Sequence, residues 1–201
     1  MKKIFCTLMI LVLMILPNIC NAVEITETTY NGNFELKYPE VKMSDAVISG
    51  KINQVIREEI KNFLTAAREP NPSVTAATSY TIPLDNGKIL SILLTEYVNY
   101  EGAAHPLTFM RALNFDLTKG TLIKVDDIPK YTKKKISTKE LTKKLKAYAK
   151  REDFMLFSDF KELEKLPENF YFDDKLHLHF LFQQYEVAPY AVGIIDVDTN
   201  L

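Results

Sequence analysis

The chain has almost no cysteine: two residues in 201, Cys6 and Cys20, both close to the N-terminus. The segment that holds them reads as a secretory signal peptide. Lys2 and Lys3 give a positive start, thirteen largely apolar residues run from Ile4 to Leu16, and Pro17 breaks the run. Cys20-Asn21-Ala22 then puts small residues at the −3 and −1 positions of a signal-peptidase site, so residues 1–22 are expected to leave, with cleavage after Ala22. The competing reading is an uncleaved anchor, but thirteen apolar residues fall short of the ~20 that a spanning helix needs. Lipidation at Cys20 is disfavoured because Pro17-Asn18-Ile19 lacks the small residues of such a signal. Processing removes both cysteines, which excludes disulfides, thiolate metal ligands and cysteine nucleophiles. The expected location is outside the cytoplasm: periplasmic, cell-envelope or secreted.

Other scarcities narrow the class. Six glycines exclude a collagen-like repeat, and 47% hydrophobic with 25% charged residues excludes disorder. With no long apolar run after residue 22, no transmembrane span is expected once the leader has gone. The net charge of −1 conceals a split. Without Lys2 and Lys3 the chain carries 23 basic and 26 acidic residues, a net of −3. Between Lys130 and Arg151 stand ten basic residues and one acid, Glu140, so that segment carries +9 and the remainder −12. Two fields of opposite sign on one small body bear on the choice of partner.

The pattern along the chain predicts an α+β fold, antiparallel sheets packed against helices. Ile25–Tyr30 and Phe34–Val41 flank Asn31-Gly32, a pair suited to the positive φ of a tight hairpin turn. A helix capped by Ser44 is predicted to Ala67, with Val47, Ile48, Ile52, Val55, Ile56, Ile60, Phe63 and Leu64 forming one buried stripe. After Pro70-Asn71-Pro72, strands over 74–84, 88–100 and 107–117 are joined by Asp85-Asn86-Gly87 and a loop over 101–106, which implies an antiparallel meander. Ser137 and Glu140 have capping-box spacing at the head of a second helix. A short helix over 158–166 is expected before Pro167, and strands over 170–172, 176–182 and 191–197 complete the sheet. The order suits two lobes, each with its own helix: residues 23–104 and residues 105–201.

Few residues suggest chemistry. His177 and His179, two apart on a strand, face the same way, and with Asp173 or Asp174 nearby could frame a zinc or nickel site. The favoured reading is the polar face of an amphipathic strand, so no metal and no cofactor is assigned and these two histidines stand as the candidates. His105, in the loop before Pro106, would need a nucleophile and an orienting carboxylate to act as a base. No G-x-S-x-G elbow, phosphate loop, dinucleotide fingerprint or zinc-protease motif is present. Asp126-Asp127 and Asp173-Asp174 read as turn residues, since adjacent acids on a strand point to opposite faces. No catalytic residue is assigned. A hydrolase reading would need a cleft lined by His105 or His177 with a carboxylate beside it. The lysine-rich helix offers Lys143, Lys146 and Lys150 as candidate contacts to an anionic polymer or lipid headgroup. The favoured reading of that helix is a solvated face. Export argues against nucleic acid as a partner.

The most specific sequence lies near the C-terminus. Tyr185-Glu186-Val187-Ala188-Pro189-Tyr190-Ala191-Val192-Gly193 resembles the Y-E-V-A-P-Y-A-x-G signature of the extracellular domain of RsiV-type anti-sigma factors, domain of unknown function 3298. Gly102-Ala103-Ala104-His105-Pro106 is similar to the G-G-A-H-P loop of that family, and Asn114-Phe115-Asp116-Leu117 with Gly120 fits its strand–turn pattern. Residues 25–100 resemble the module that precedes PdaC-type peptidoglycan deacetylases. The resemblance implies an exported α+β module that binds rather than catalyses, with lysozyme the ligand of the RsiV-type receptors. Signalling and deacetylation are not carried over, because neither a sigma-binding segment before the apolar run nor a deacetylase domain after residue 201 is present in this sequence. Tyr185, Glu186, Pro189, Tyr190 and Gly193 are read as structural: buried rings, a restricted backbone and a glycine permitting close approach. The leading expectation is a binder of a lysozyme-like cationic protein, attracted by the acidic remainder while segment 130–151 faces away. The alternative is a cell-wall accessory module that holds peptidoglycan or teichoic acid.

Overall fold

The computed structural model describes residues 23–68, 72–132 and 135–201. Residues 1–22, with the expected leader, its expected processing site, Cys6 and Cys20, lie outside the described residues. Among the described residues nine strands and three α-helices follow one another as β1 (Glu24–Thr29), β2 (Glu35–Lys42), α1 (Ala46–Ala66), β3 (Val74–Asp85), β4 (Ile89–Tyr100), β5 (Leu107–Asp116), β6 (Thr121–Leu122), α2 (Ile128–Thr132), α3 (Thr138–Arg151), β7 (Phe170–Phe172), β8 (Leu178–Phe182) and β9 (Ile195–Asp198). They form a six-stranded sheet in the order β1 to β6 and a three-stranded sheet β7-β8-β9. The fold is α+β.

β1 and β2 form the predicted antiparallel hairpin around Asn31-Gly32. The meander 74–116 is also as predicted, with β4 paired along its length to β3 on one side and β5 on the other. Strand β5 thus continues the first sheet beyond residue 105. One junction departs from the antiparallel reading: β2 and β3 are parallel, with Glu35 opposite Ala77 and Leu36 opposite Thr78. A helix of 21 residues joins them, and a helical crossover returns the chain in its original direction, as parallel neighbours require. Pro83 sits where the β3–β4 register shifts between Thr81 and Leu84. A residue with no N–H is tolerated there because the ladder is already interrupted.

The cap of α1 is Asp45 rather than Ser44; its carboxylate accepts from the amides of Val47 at 2.9 Å and Ile48 at 3.1 Å. Ile52, Ile56, Ile60 and Phe63 are buried as the stripe predicts, each contributing about 1.5–3 kcal/mol by leaving water. Val47 is not part of the stripe: it is 68% exposed, on the outward side of the first turn. Its place is taken by the small polar residues Ser49 and Asn53. The Asn53 amide bonds both the N–H and the carbonyl of Val41, at 2.8 and 2.7 Å, and so fixes the helix to β2.

The other end of the sheet seats α1 through Gly120, whose φ is +67° and whose Cβ, if present, would stand 2.8 Å from the Ile48 carbonyl oxygen. G120A is therefore expected to cost about 2 kcal/mol, through left-handed strain and displacement of the first turn of α1. Thermal unfolding should show a fall of several degrees, and an unchanged transition would mean that the helix does not rest on this turn. Asp116 organises the same corner. Burial opposes its charge, but hydrogen bonds from Thr118 (Oγ1 at 2.6 Å, N at 2.9 Å) and from the Tyr131 hydroxyl at 2.8 Å, with Lys119 beside it, hold its carboxyl down at about 2.

Strand β4 is buried on both faces over residues 89–94. Leu90, Ile92 and Leu94 meet α1, while Ile89 and Leu93 meet the second sheet. The second core gathers Phe170, Phe172, Phe180 and Phe182 against Leu141 and Leu145 of α3. Ser137 caps α3 as predicted, accepting from the Glu140 amide at 3.2 Å. Residues 158–166 are not helical. Their polar groups are engaged by the rest of the fold: the Leu163 amide donates to the Thr142 hydroxyl at 3.0 Å, and Lys146 Nζ donates to the Lys161 carbonyl at 2.6 Å. The strand expected from residue 176 begins at Leu178, because Asp173–Leu176 makes a turn that ends with Leu176 at φ +63°.

Candidate functional site

The loop 101–106 and the segment 183–193, far apart in sequence, meet in space. His105 stacks on Tyr190 with ring centroids 3.7 Å apart, and its Nε2 lies 3.0 Å from the Tyr185 hydroxyl. Its Nδ1 lies 3.0 Å from the Pro106 carbonyl. A carbonyl only accepts, so Nδ1 carries the proton and, in the neutral ring, Nε2 accepts from Tyr185. The Tyr190 hydroxyl donates to the same Pro106 carbonyl at 2.9 Å. Glu186 closes the turn by accepting from the Gln183 amide at 2.7 Å, and Val187 and Ala188 enter the core. His105 is thus engaged by a phenol and a carbonyl, without the orienting carboxylate that a general base requires.

Two structural roles read for this motif need correction. Tyr185 is not buried; it is 52% exposed and adopts φ +65°. Gly193 does not permit a close approach, since nothing lies within 4 Å of where its Cβ would be. It is needed for its φ of +79°, in the turn where its amide donates to the Tyr190 carbonyl at 2.9 Å.

Beside Tyr185 opens a groove of about 590 Å³. Phe157, Phe160 and Tyr185 give it aromatic walls, Asp159, Glu162, Glu164 and Glu186 bring four carboxylates, and Lys161 is the single cation among its lining residues. The lysine-rich helix does not face away from it. Lys146 donates to the Lys161 carbonyl and stands over the Phe160 ring at 5.9 Å, so α3 borders the groove. The cause is Thr142, whose hydroxyl draws segment 158–166 across α3. Lys143 and Lys150 point outward and are exposed.

A second constellation occupies one face of the small sheet. The register places Tyr171 opposite His179 and His179 opposite Asp198. Residues two apart share a face, so Asp173, His177 and Asp196 join them. His179 Nδ1 lies 2.9 Å from Asp196 Oδ1, and the Tyr171 hydroxyl donates to Asp196 Oδ2 at 2.6 Å while its ring stacks on the imidazole at 4.5 Å. Burial works against charge on His179, but the hydrogen bond to Asp196 and the fields of Asp196, Asp198 and Asp173 outweigh it and raise its pKa above the ordinary histidine value. Asp173 is held below the usual carboxylate range: burial opposes its charge, and the amides of His177 and Lys175 outweigh it. The period-two spacing of His177 and His179 predicted their convergence. Asp196 and Asp198 were missed, although Asp196-Val197-Asp198 repeats the alternation of His177-Leu178-His179. Asp174 is exposed on the turn.

A smaller cavity, of about 360 Å³, lies between the end of α1 and strands β4 and β5. Glu96 stands in it at 2% exposure, with Arg111 Nε 3.5 Å from its Oε2 and 3.5 Å from Glu59. No histidine, serine or threonine lines this cavity. Glu96 also went unnoticed in the sequence, as the single charged residue of a largely apolar strand.

Residues 25–108 match the family model described as Deacetylase PdaC, and residues 116–198 match that described as Protein of unknown function (DUF3298). No curated protein matches the chain. Among solved structures, a DUF3298 family protein from Pseudomonas aeruginosa PAO1 superposes with a TM-score of 0.61 at 12% identity, covering 90% of each chain. A DUF3298 family member from Bacteroides fragilis NCTC 9343 superposes with a TM-score of 0.58 at 15% identity, covering 89% of each. At such identities these two show the fold alone. Both matched families are typical of extracellular modules. Residues 25–108 are thus similar to the PdaC family and residues 116–198 to the DUF3298 family, the two families that the motifs resemble.

Proposed function

We propose that the chain is an exported, non-enzymatic binding module whose C-terminal half takes a cationic, lysozyme-like protein in the groove beside Tyr185. The observation that carries this reading is that groove: four carboxylates and three aromatic side chains against one lysine. A half-exposed tyrosine held in place by His105 is the type of rigid aromatic anchor that dominates interface energies. The acidic charge of the chain outside 130–151 steers a basic partner toward it. A non-catalytic role accords with the histidines. His105 is engaged by the Tyr185 phenol and the Pro106 carbonyl and His179 by the Asp196 carboxylate, and neither ring is bonded to a serine or threonine hydroxyl. Among the described residues no helix is long and apolar enough to cross a membrane.

Titration calorimetry with lysozyme at physiological salt tests the proposal. A dissociation constant in the micromolar range or below is expected. Y185A should weaken it at least tenfold, about 1.4 kcal/mol, and E162Q/E186Q should reduce both the association rate and its salt dependence. No heat at tens of micromolar lysozyme defeats the reading.

The exposure of Lys143 and Lys150 on α3 favours a second reading, retention of anionic cell-wall polymer. Charge reversal at those two positions would abolish sedimentation with purified sacculi under that reading alone.

A further inference from the structure

We propose that the cavity between the end of α1 and strands β4 and β5 takes a small organic cation, an apolar body carrying one ammonium group, and that Glu96 receives the ammonium. The strands set the place of the cavity. Side chains two apart on a strand share a face, so Glu96, Val98 and Tyr100 of β4 point the same way. The β4–β5 register puts Phe109 beside Glu96 and Leu107 beside Val98, and Phe63 of α1 completes the apolar lining. The Tyr100 hydroxyl donates to the Ala66 carbonyl at 3.1 Å and so ties the last turn of the helix to the sheet. The space measures about 360 Å³, within the roughly 300–1,000 Å³ of small-molecule sites.

The unanswered oxygen of Glu96 is what points to a ligand. The side chain is 3% exposed, and Oε1 is shielded from solvent without a hydrogen-bond partner. Neither protonation state satisfies it. Ionised, Oε1 lacks a donor; protonated, it lacks an acceptor for its own proton or, with the proton on Oε2, a donor for its carbonyl. Buried polar atoms in native proteins have partners as a rule. Arg111 does not supply one: its Nε stands 3.5 Å from Oε2 and 3.5 Å from Glu59 Oε1, longer than the about 2.7–2.9 Å of a charge-assisted bond. Its guanidinium leans over the Phe109 ring at 5.7 Å from the centroid.

Charge selects the ligand. Glu59 and an ionised Glu96 face one guanidinium, so the site carries one negative charge in excess, and a single cation balances it. Burial raises the Glu96 pKa to about 7, which leaves the carboxylate available at pH 8. An ammonium N–H answers Oε1 while Arg111, nearly half exposed, keeps to Glu59. Phe63, Val98, Leu107 and Phe109 bury the apolar body. An anion would meet two carboxylates, and a neutral molecule would leave the ionised Glu96 without a counter-charge. The cavity shares no lining residue with the groove at Tyr185, so the two proposals fail separately.

Nuclear magnetic resonance titration of the full chain with 2-phenylethylamine at pH 8 tests it, with 2-phenylethanol and 3-phenylpropionate as the neutral and anionic counterparts. The amine should bind with a dissociation constant of about 1 mM or tighter, shifting the amides of residues 59–66, 96–100 and 107–111. The alcohol should bind at least tenfold more weakly, and the acid should cause no shift. E96Q, which keeps the shape and removes the charge, should weaken the amine at least tenfold. A66F, at an exposed position on the rim, should abolish binding, whereas Y185A should bind the amine as the parent does. No shifts at about 10 mM amine, equal affinity for the alcohol, undiminished binding by E96Q, or shifts centred on residues 157–164 and 185–186 instead would overturn the proposal.

Discussion

N114A is expected to cost about 3–4 kcal/mol of folding free energy and to lower the melting temperature by roughly 10 °C. Asn114 is 2% exposed and stands opposite Ser91 in the β4–β5 ladder. Its Oδ1 accepts from the Ser91 hydroxyl at 2.7 Å, its Nδ2 donates to the Phe170 carbonyl at 2.6 Å, and the Ser91 oxygen in turn accepts from the Phe172 amide at 3.3 Å. These bonds join the first sheet to the second through a buried polar chain. Alanine leaves the Ser91 hydroxyl proton without its acceptor and the Phe170 carbonyl without the Asn114 donor where water does not reach, at about 1–3 kcal/mol each, and opens a small cavity as well. Denaturant unfolding measures the loss. S91A in the same background should add little, because the two side chains act as one unit and a double-mutant cycle will show strong coupling. A loss below 1 kcal/mol, or strict additivity, would show that the sheets are held by apolar packing alone.

The same seam continues outward and accounts for residues that the sequence motif leaves unexplained. Beyond β6, the free edge of β5 has no strand to pair with. Side-chain amides take the place of one: Asn169 bonds the Ala112 amide at 2.8 Å and the Met110 carbonyl at 2.7 Å, Gln183 bonds both polar groups of Met110, and Gln184 accepts from the Thr108 amide at 3.1 Å. Gln183-Gln184 thus caps an exposed strand edge, the kind of surface that otherwise invites aggregation. Tyr185 follows directly, and it is the left-handed turn completing this cap that pushes its ring into solvent beside the acidic groove.

What could be read from the sequence was what local spacing determines. The Asn31-Gly32 hairpin, the apolar stripe of α1, the meander and the Ser137 cap each depend on neighbours a few residues away. What escaped depends on distant partners. The parallel pairing of β2 with β3 is set by where α1 lands on the sheet. Residues 158–166 carry apolar spacing suited to a helix, but Thr142 and Lys146 claim their backbone groups. The convergence of His177 and His179 follows from strand alternation, whereas the presence of Asp196 and Asp198 opposite them follows from the β8–β9 register, which no local pattern encodes. The burial of Tyr185 was misjudged for the same reason: a large ring favours the interior in general, and only the three-dimensional turn shows which way it points.

Glu96 is expected to give the protein a stability that declines as the solution becomes less acidic. Burial raises its pKa from about 4.5 to about 7; Arg111 lowers it and Glu59 raises it, without reversing that shift. Below pH 4.5 the group is protonated in both folded and unfolded chains and contributes no pH dependence. Between pH 4.5 and 7 the folded chain holds a proton that the unfolded chain releases, so stability falls as pH rises through this window and levels off above it. A shift of this size corresponds to roughly 3 kcal/mol. Asp116 behaves in the opposite sense: with a folded pKa of about 2, its contribution is present above pH 4 and is lost only as the pH falls through that range. Urea unfolding at pH 5, 6, 7 and 8 should show the Glu96 slope in the parent. E96Q has no charge to lose; it should match the parent near pH 5 and exceed it at pH 8, and the difference between the two profiles isolates Glu96 from other titrating groups such as His179. One oxygen of Glu96, Oε1, has no hydrogen-bond partner, which makes the ionised form costly in spite of Arg111: the guanidinium is shared with Glu59 and nearly half exposed, so its attraction is weakened by water that the carboxylate itself cannot reach. Parallel profiles for E96Q and the parent would mean that the cavity around Glu96 admits solvent when the protein is in solution.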